Sequence, residues 1–265
     1  MSLVARFGSR RQEGRRGLTL MELVVVMVIL AALAGILLPL LPGMVKRAHT
    51  STSATNVSEV AKAIQTHQAV YLSLPNNLDS LVNATGTLVA YLPGNTGGDL
   101  TTLTLTDDTA DALNDVGITT MAQMIAAPSS NIGDFGPTFY PYGTDKTVLP
   151  TATALADGVA VASLLPAAAN RLYAAPLGAS YTVFGLGSRT SMQGKSLQEA
   201  PVHFADAENE APHVAYARYG AVFQVTDSTG NPLESAKLIG ICAFHGDGVV
   251  SLNDHLGEYW SANKN

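Results

Sequence analysis

A single cysteine, Cys242, in 265 residues excludes any intramolecular disulfide. The fold must therefore be held by its core, by neighbouring molecules or by a metal. Charge is scarce as well: 14% of residues are charged, 6% are aromatic and 47% are apolar. Lys and Arg total 15 against 21 Asp and Glu, and so acidic a chain is poorly suited to nucleic acid. No G-x-S-x-G, H-E-x-x-H or P-loop pattern occurs, and no internal repeat is visible. "GLGS" (Gly185 to Ser188) lacks the further glycine of a dinucleotide loop and reads as a turn. An enzyme is not expected. Cys242 itself lies in "LIGICAF", a strand-like apolar run, and reads as a buried small hydrophobe. The length suits one sizeable soluble domain plus an anchor, or two small domains.

What the chain has is an uneven charge and one long apolar run. Residues 1–17 hold Arg6, Arg10, Arg11, Arg15 and Arg16 against Glu13, a net +4, which leaves −10 for residues 18–265 of a chain whose overall charge is −6. Directly behind this basic head, Leu18 to Leu41 is almost wholly apolar, enough for roughly 36 Å of helix and so for a bilayer. A basic head before such a span stays cytoplasmic, which puts the acidic bulk outside. The run is too long for the core of an ordinary signal peptide, and "LLPLLPG" beyond it offers no good cleavage site. Arg10-Arg11 hints at a twin-arginine signal, but Gln12, Glu13 and Gly14 follow where apolar residues belong. A plain anchor fits the length and leaves Glu22 unexplained, since a carboxylate in hydrocarbon costs about 2.5–3.5 kcal/mol at mid-span and less near the ends.

"RRGLTLMELVVVMVIL" resembles the N-terminus of type IV pilins and of the pseudopilins of type II secretion. The resemblance implies a leader cut after Gly17 by a prepilin peptidase on the cytoplasmic side, with N-methylation of Leu18 as the new terminus. The family usually begins with phenylalanine, and Leu18 departs from that. Glu22 becomes the fifth mature residue, where the family places its glutamate. Its implied partner is the positive amino terminus of a neighbouring subunit, or of the same subunit before assembly. A carboxylate buried in a helical bundle must be paired, and such a pair would set axial register as one buried polar group does in a coiled coil. Pro39 cannot donate its N–H and should kink or loosen the helix near Gly35, while Pro42-Gly43 makes a full break possible.

The expected plan is a leader at 1–17, a membrane and filament-core helix at 18–43, an amphipathic second half at 44–74, and a globular domain at 75–265 with a variable insertion at about 105–175. Val57, Val60, Ala61, Ile64, Tyr71 and Leu72 form one helical stripe, with Asn56, Glu59, Lys62, Gln65 and His67 mostly between them. The helix should stop at Pro75. "SLPNNLDSLV" (Ser73 to Val82) resembles the pseudopilin pattern of a short leucine-containing helix folding back. "TTLTLTDD" reads as a strand into an acidic turn. Leu113, Val116, Met121 and Met124 have helical spacing interrupted at Gly117, residues 128–150 read as loop, and "TATALADGVAVASLLPAAANRLYAAP" suits helix, strand or insertion. The C-terminal third reads as β, with "DSTGNP" a hairpin loop, and short turns favour an antiparallel sheet. The fold class is α+β: a long helix on an antiparallel sheet, as the resemblance also implies.

His203, His213, His245 and His255 fall in one region among acidic residues. They are spread through turns without zinc-motif spacing, so solvated histidines are expected rather than zinc ligands. Asp247, Asn253, Asp254 and Glu258 offer oxygen ligands near the C-terminus. Major pseudopilins bind calcium with an acidic C-terminal loop, but the spacing here is not that of an EF-hand, so solvated turn residues and no cofactor are expected, with calcium as the alternative. The expected function is a structural subunit of a type IV pilus-like or type II secretion filament, anchored in the inner membrane before assembly with its domain periplasmic. The implied partners are the prepilin peptidase, an assembly ATPase with its membrane platform protein, and copies of itself or sibling subunits. The missing disulfide and "LPNNLDSLV" lean towards a secretion pseudopilin, the insertion towards a specialised or minor subunit. The alternative is a membrane-tethered extracytoplasmic binding domain or enzyme that never polymerises.

Overall fold

The computed structural model describes residues 19–38, 41–94, 98–124, 152–203 and 215–262. Gly17, Leu18, Pro39, His213 and the expected loop at 128–150 lie outside them. The chain divides into two compact units, Met1–Val45 and Lys46–Asn265.

The first unit contains helix α1, Leu20–Leu37. Its apolar residues recur at every position rather than on one face, and none of them is buried. Helix α2 runs Leu41–Tyr71. α1 ends at Leu37 and α2 begins at Leu41, so the two helices separate just ahead of Pro42-Gly43 rather than at them: both residues are helical, inside the first turn of α2, where the missing N–H of proline has no intrahelical partner to lose.

Within the second unit, α2 buries the stripe its periodicity gives. Val57, Val60 and Ile64 are buried and Ala61 packs beside them. The stripe ends sooner than expected. Leu72 adopts left-handed dihedrals (φ 56°) and its N–H returns to the Gln68 carbonyl at 2.9 Å, a left-handed cap that closes the helix ahead of Pro75. Tyr71 and Leu72, expected in the stripe, are instead exposed, Leu72 at 90%. His67, expected among the polar positions, is buried and its Nδ1 lies 3.1 Å from the Ser73 carbonyl.

The expected fold-back helix at 73–82 is also corrected. Asn76 Oδ1 accepts from the backbone N–H groups of Thr119 and Thr120 at 3.0 and 2.9 Å, so its side chain substitutes for a neighbouring strand. The chain runs extended into β1, Leu78–Asp79. Further along come β2 (Leu100–Thr104), α3 (Asp107–Asp115), β3 (Thr120–Ala122), β4 (Ala152–Ala154), β5 (Ala160–Leu164), α4 (Pro166–Tyr173), β6 (Tyr181–Gly185), β7 (Gly220–Thr226), β8 (Pro232–His245), β9 (Gly248–Ser251) and α5 (Leu252–Ala262).

Among the described residues these strands form one sheet in the order β4-β3-β1-β6-β7-β8-β9, with β5 also on β6 and β2 on β5. β1 and β3 run parallel and the other pairings are antiparallel. The fold is α+β as expected, but the sheet is mixed rather than antiparallel, because a segment expected as helix enters it as a strand. The hairpin loop falls where "DSTGNP" places it, between β7 and β8.

Strand alternation sorts the core into two clusters. Phe184, Ala221, Phe223, Ile241 and Ala243 join Val57, Val60 and Ile64 of α2 and Leu113 of α3. Tyr181, Val183, Val222, Cys242 and Phe244 join Ala168, Ala169 and Leu172 of α4. The sheet is thus buried on both faces. Cys242 is fully buried, as expected, and burial pushes its thiol up to about 12.

Candidate functional site

Two places in the molecule gather polar chemistry out of keeping with their surroundings. One is the start of α1. Thr19 is its N-cap, and its hydroxyl accepts from the Glu22 N–H at 3.3 Å. Glu22 Oε2 in return accepts from the Thr19 N–H at 2.8 Å and from the Thr19 hydroxyl at 2.9 Å. This is a reciprocal capping box, which satisfies N–H groups that the first turn of a helix leaves unbonded. α1 as a whole, Leu20–Leu37, has a mean hydropathy of 2.8 and is long and apolar enough to cross a membrane.

The other place is on the α2 face of the sheet. β8 alternates, so that Ile241 and Ala243 face α2, and the same period of two carries His245 to that side at the end of the strand. His203 sits in an extended stretch alongside the approach to β7: its N–H donates to the Ala217 carbonyl at 2.9 Å, and Val202 bridges Arg218. His255 enters from α5, whose start is fixed by a second capping box. Ser251 N–H and hydroxyl donate to Asp254 Oδ2 at 2.7 and 2.9 Å, and the Asp254 N–H returns to the Ser251 hydroxyl at 3.5 Å.

These three elements bring the imidazoles together. His203 Nε2 and His245 Nε2 are 2.8 Å apart, a distance at which one nitrogen donates a proton and the other accepts it. The ring centroids lie 4.6 Å (203–245), 5.4 Å (203–255) and 5.7 Å (245–255) apart, with mutual tilts of 48–57°. One nitrogen from each ring falls within 4.8 Å of the others. His203 and His255 are 3% and 2% exposed, and His245 is half-buried. Behind His203, its Nδ1 meets Ser53 Oγ of α2 at 3.2 Å, and Tyr219 presents its ring edgewise at 5.7 Å. Burial, reinforced by the two neighbouring histidines, lowers His203 to about 3. Burial and His245 lower His255 to about 4, with the Asp254 carboxylate pulling the other way.

The expectation of solvated histidines is therefore corrected for His203 and His255. Turn-rich sequence around them suggested exposure, whereas the tertiary fold brings an extended stretch, a strand end and a helix together at one place. A signal was present in the alternation Ile241, Ala243, His245. Ser53 carried none, since its role depends on a contact 150 residues away.

The expected calcium ligands have other settings. Asp247 is exposed in the turn between β8 and β9, and Asn253 and Asp254 are exposed in the first turn of α5, where Asp254 serves the cap. The side chain of Glu258 lies outside the described residues. Among the described residues, the histidine trio is the one group of three or more His, Cys, Asp or Glu with ligand atoms close enough to hold an ion.

One polar group was invisible in the sequence. Asp79 is fully buried and accepts from the Tyr216 hydroxyl at 2.9 Å. It occupies the space that a Cβ on Gly187 would need, which explains the glycine of "GLGS" structurally. No family model, no curated protein and no solved structure matches this chain.

Proposed function

We propose that this protein is a structural subunit of a type IV pilin-like filament, held in the membrane by α1 before assembly with the 46–265 unit outside. The observation that carries this reading is the character of α1: apolar at every turn, burying none of its own residues, with one carboxylate in its first turn. Such a helix needs an apolar environment supplied from beyond its own chain, and lipid followed by a bundle of like helices supplies it at both stages. The basic residues before it, Gly17 and the "LTLME" that follows agree with processing after Gly17, methylation of Leu18 and pairing of Glu22 with a neighbouring amino terminus. The partners that follow are a prepilin peptidase, an assembly ATPase and platform protein, and sibling subunits.

The capping box favours a second reading, a tethered domain that does not polymerise. It gives Glu22 a purpose inside its own helix, with no neighbour required. Glu22→Gln separates the two readings, because glutamine at the third helical position also closes a capping box but cannot pair as an anion. The expected result is that Glu22→Gln and Glu22→Ala are both cut to a chain starting at Leu18, seen by intact mass, yet both are missing from the sheared filament fraction. Normal filaments from Glu22→Gln would overturn the filament role of the charge. Tolerance of both variants, with an uncut chain, would establish the tether.

A further inference from the structure

We propose that His203, His245 and His255 bind one zinc ion, which clamps the 202–203 stretch, the β8–β9 hairpin and α5 together against α2. The site is independent of the filament reading. It rests on three imidazoles whose rings come from three separate elements and converge on one point beneath Ser53.

The ligand chemistry suits zinc. Imidazole nitrogens favour zinc and its later first-row neighbours, whereas magnesium and calcium want oxygen. Zinc bound tetrahedrally by nitrogen at about 2.0–2.1 Å spaces its ligand atoms about 3.4 Å apart. The His203–His245 pair, at 2.8 Å, must open by about half an ångström as the ion replaces the shared proton. His255 closes in from within 4.8 Å by small side-chain rotations. The rings are tilted by 48–57° to one another rather than stacked face to face, and one nitrogen of each lies within 4.8 Å of the others.

The outer contacts agree. A metal-bound histidine commonly donates its other ring N–H to an oxygen, which fixes the tautomer. Ser53 Oγ at 3.2 Å from His203 Nδ1 is placed to accept that proton and so directs the Nε2 lone pair towards the other rings. Three protein ligands leave the fourth position to water. In a chain that cannot form a disulfide, such a clamp staples segments 42 and 52 residues apart in sequence without a thiol; Cys242 faces the other side of the sheet.

The test uses the full untagged chain in detergent, stripped with a chelator and dialysed against zinc chloride. The expected result is one zinc per chain by elemental analysis. At free zinc a hundredfold above Kd, the melting temperature should rise by about 5–10 °C, and magnesium or calcium at the same concentration should not raise it. Ser53→Ala should weaken zinc binding about 10–100-fold, and His245→Gln, at the half-buried member, should weaken it further. Absence of saturable zinc, or equal binding by His245→Gln, would overturn the site. Should His245→Gln fail to fold, X-ray absorption on the zinc-loaded wild type decides: a shell of imidazole nitrogens at about 2.0–2.1 Å supports the site, and an all-oxygen shell overturns it.

Discussion

The helix α1 and the unit 46–265 solve the same problem in opposite ways. In α1, the large apolar side chains are 48–81% exposed and the first-turn carboxylate is met by its own N-cap threonine. In the second unit, apolar side chains of comparable size are buried on both faces of a sheet, and the buried Asp79 and His203 are met by residues far away in sequence. Burial of apolar surface is the main favourable term in folding. The second unit therefore has within its own chain what stabilises it. α1 has no such core of its own: none of its residues is buried, and it is long and apolar enough to cross a membrane. Function is to be sought outside the molecule for one region and inside it for the other.

The sharpest way to break this comparison is to cut apolar volume from each region. Phe223 is fully buried in β7 and pairs with Phe184 at 6.1 Å between ring centroids. Phe223→Ala should cost about 3–5 kcal/mol of stability, read from denaturant unfolding of the full chain in detergent. Val28→Ala, at a position 63% exposed in α1, should leave that unfolding transition where it was. Equal losses from the two variants would mean that α1 is part of the folded unit's core, and the contrast would collapse.

A smaller effect tests the polar side of the same contrast. Tyr216→Phe keeps the ring against Phe244 but removes the hydroxyl that donates to the buried Asp79 carboxylate. Weakening the bonding of a buried charged acceptor costs about 1–3 kcal/mol, measurable by the same unfolding transition. A loss within error would show that the other contacts of Asp79 suffice.

How much of this was legible follows the range of the interactions. The apolar run predicted a helix at 18–41 and its described part is Leu20–Leu37. The stripe Val57, Val60, Ile64 and the β-runs around Phe223 and Cys242 were readable because periodicity is local. The stop of α2 was placed near Pro75 but comes at Leu72, whose left-handed backbone no residue-type rule would assign to leucine. The strand at Leu78–Asp79 was missed because Asn76 bonds to Thr119 and Thr120, 43 and 44 residues away. The histidine trio was missed for the same reason: each histidine looks like a turn residue until the fold brings an extended stretch, the end of β8 and α5 together. Glu22 was legible as a site while its capping partner Thr19 passed unnoticed, although the two are only three residues apart.

The smallest effect concerns the second unit's counterpart of Glu22. Asp227, at the end of the β7–β8 hairpin, is also an exposed carboxylate met by its own neighbourhood: Oδ1 accepts from the Thr229 hydroxyl at 2.7 Å, the Thr229 N–H at 2.8 Å and the Asn231 N–H at 3.0 Å. The Thr229 hydroxyl first, then its N–H, lowers Asp227 from 3.8 to about 2. A depressed acid contributes stability that is fully present above its unfolded value and is lost as pH falls through the folded one. The Asp227 contribution should therefore be constant above about pH 4 and fade between about 4 and 2. Asp227→Asn keeps an acceptor oxygen without the charge. It should melt slightly below the wild type at pH 7, with the gap closing as the pH is lowered through that window. A gap that stays constant would show that shape rather than charge holds the loop. Asp227 and Glu22 then form a pair: both are exposed and both are bonded within a few residues. Amide replacement should nudge the stability of one unit and, if α1 works in an assembly, abolish filament entry through the other. Each carboxylate is bonded locally, so loss of filament entry from Glu22→Gln would point to what surrounds α1.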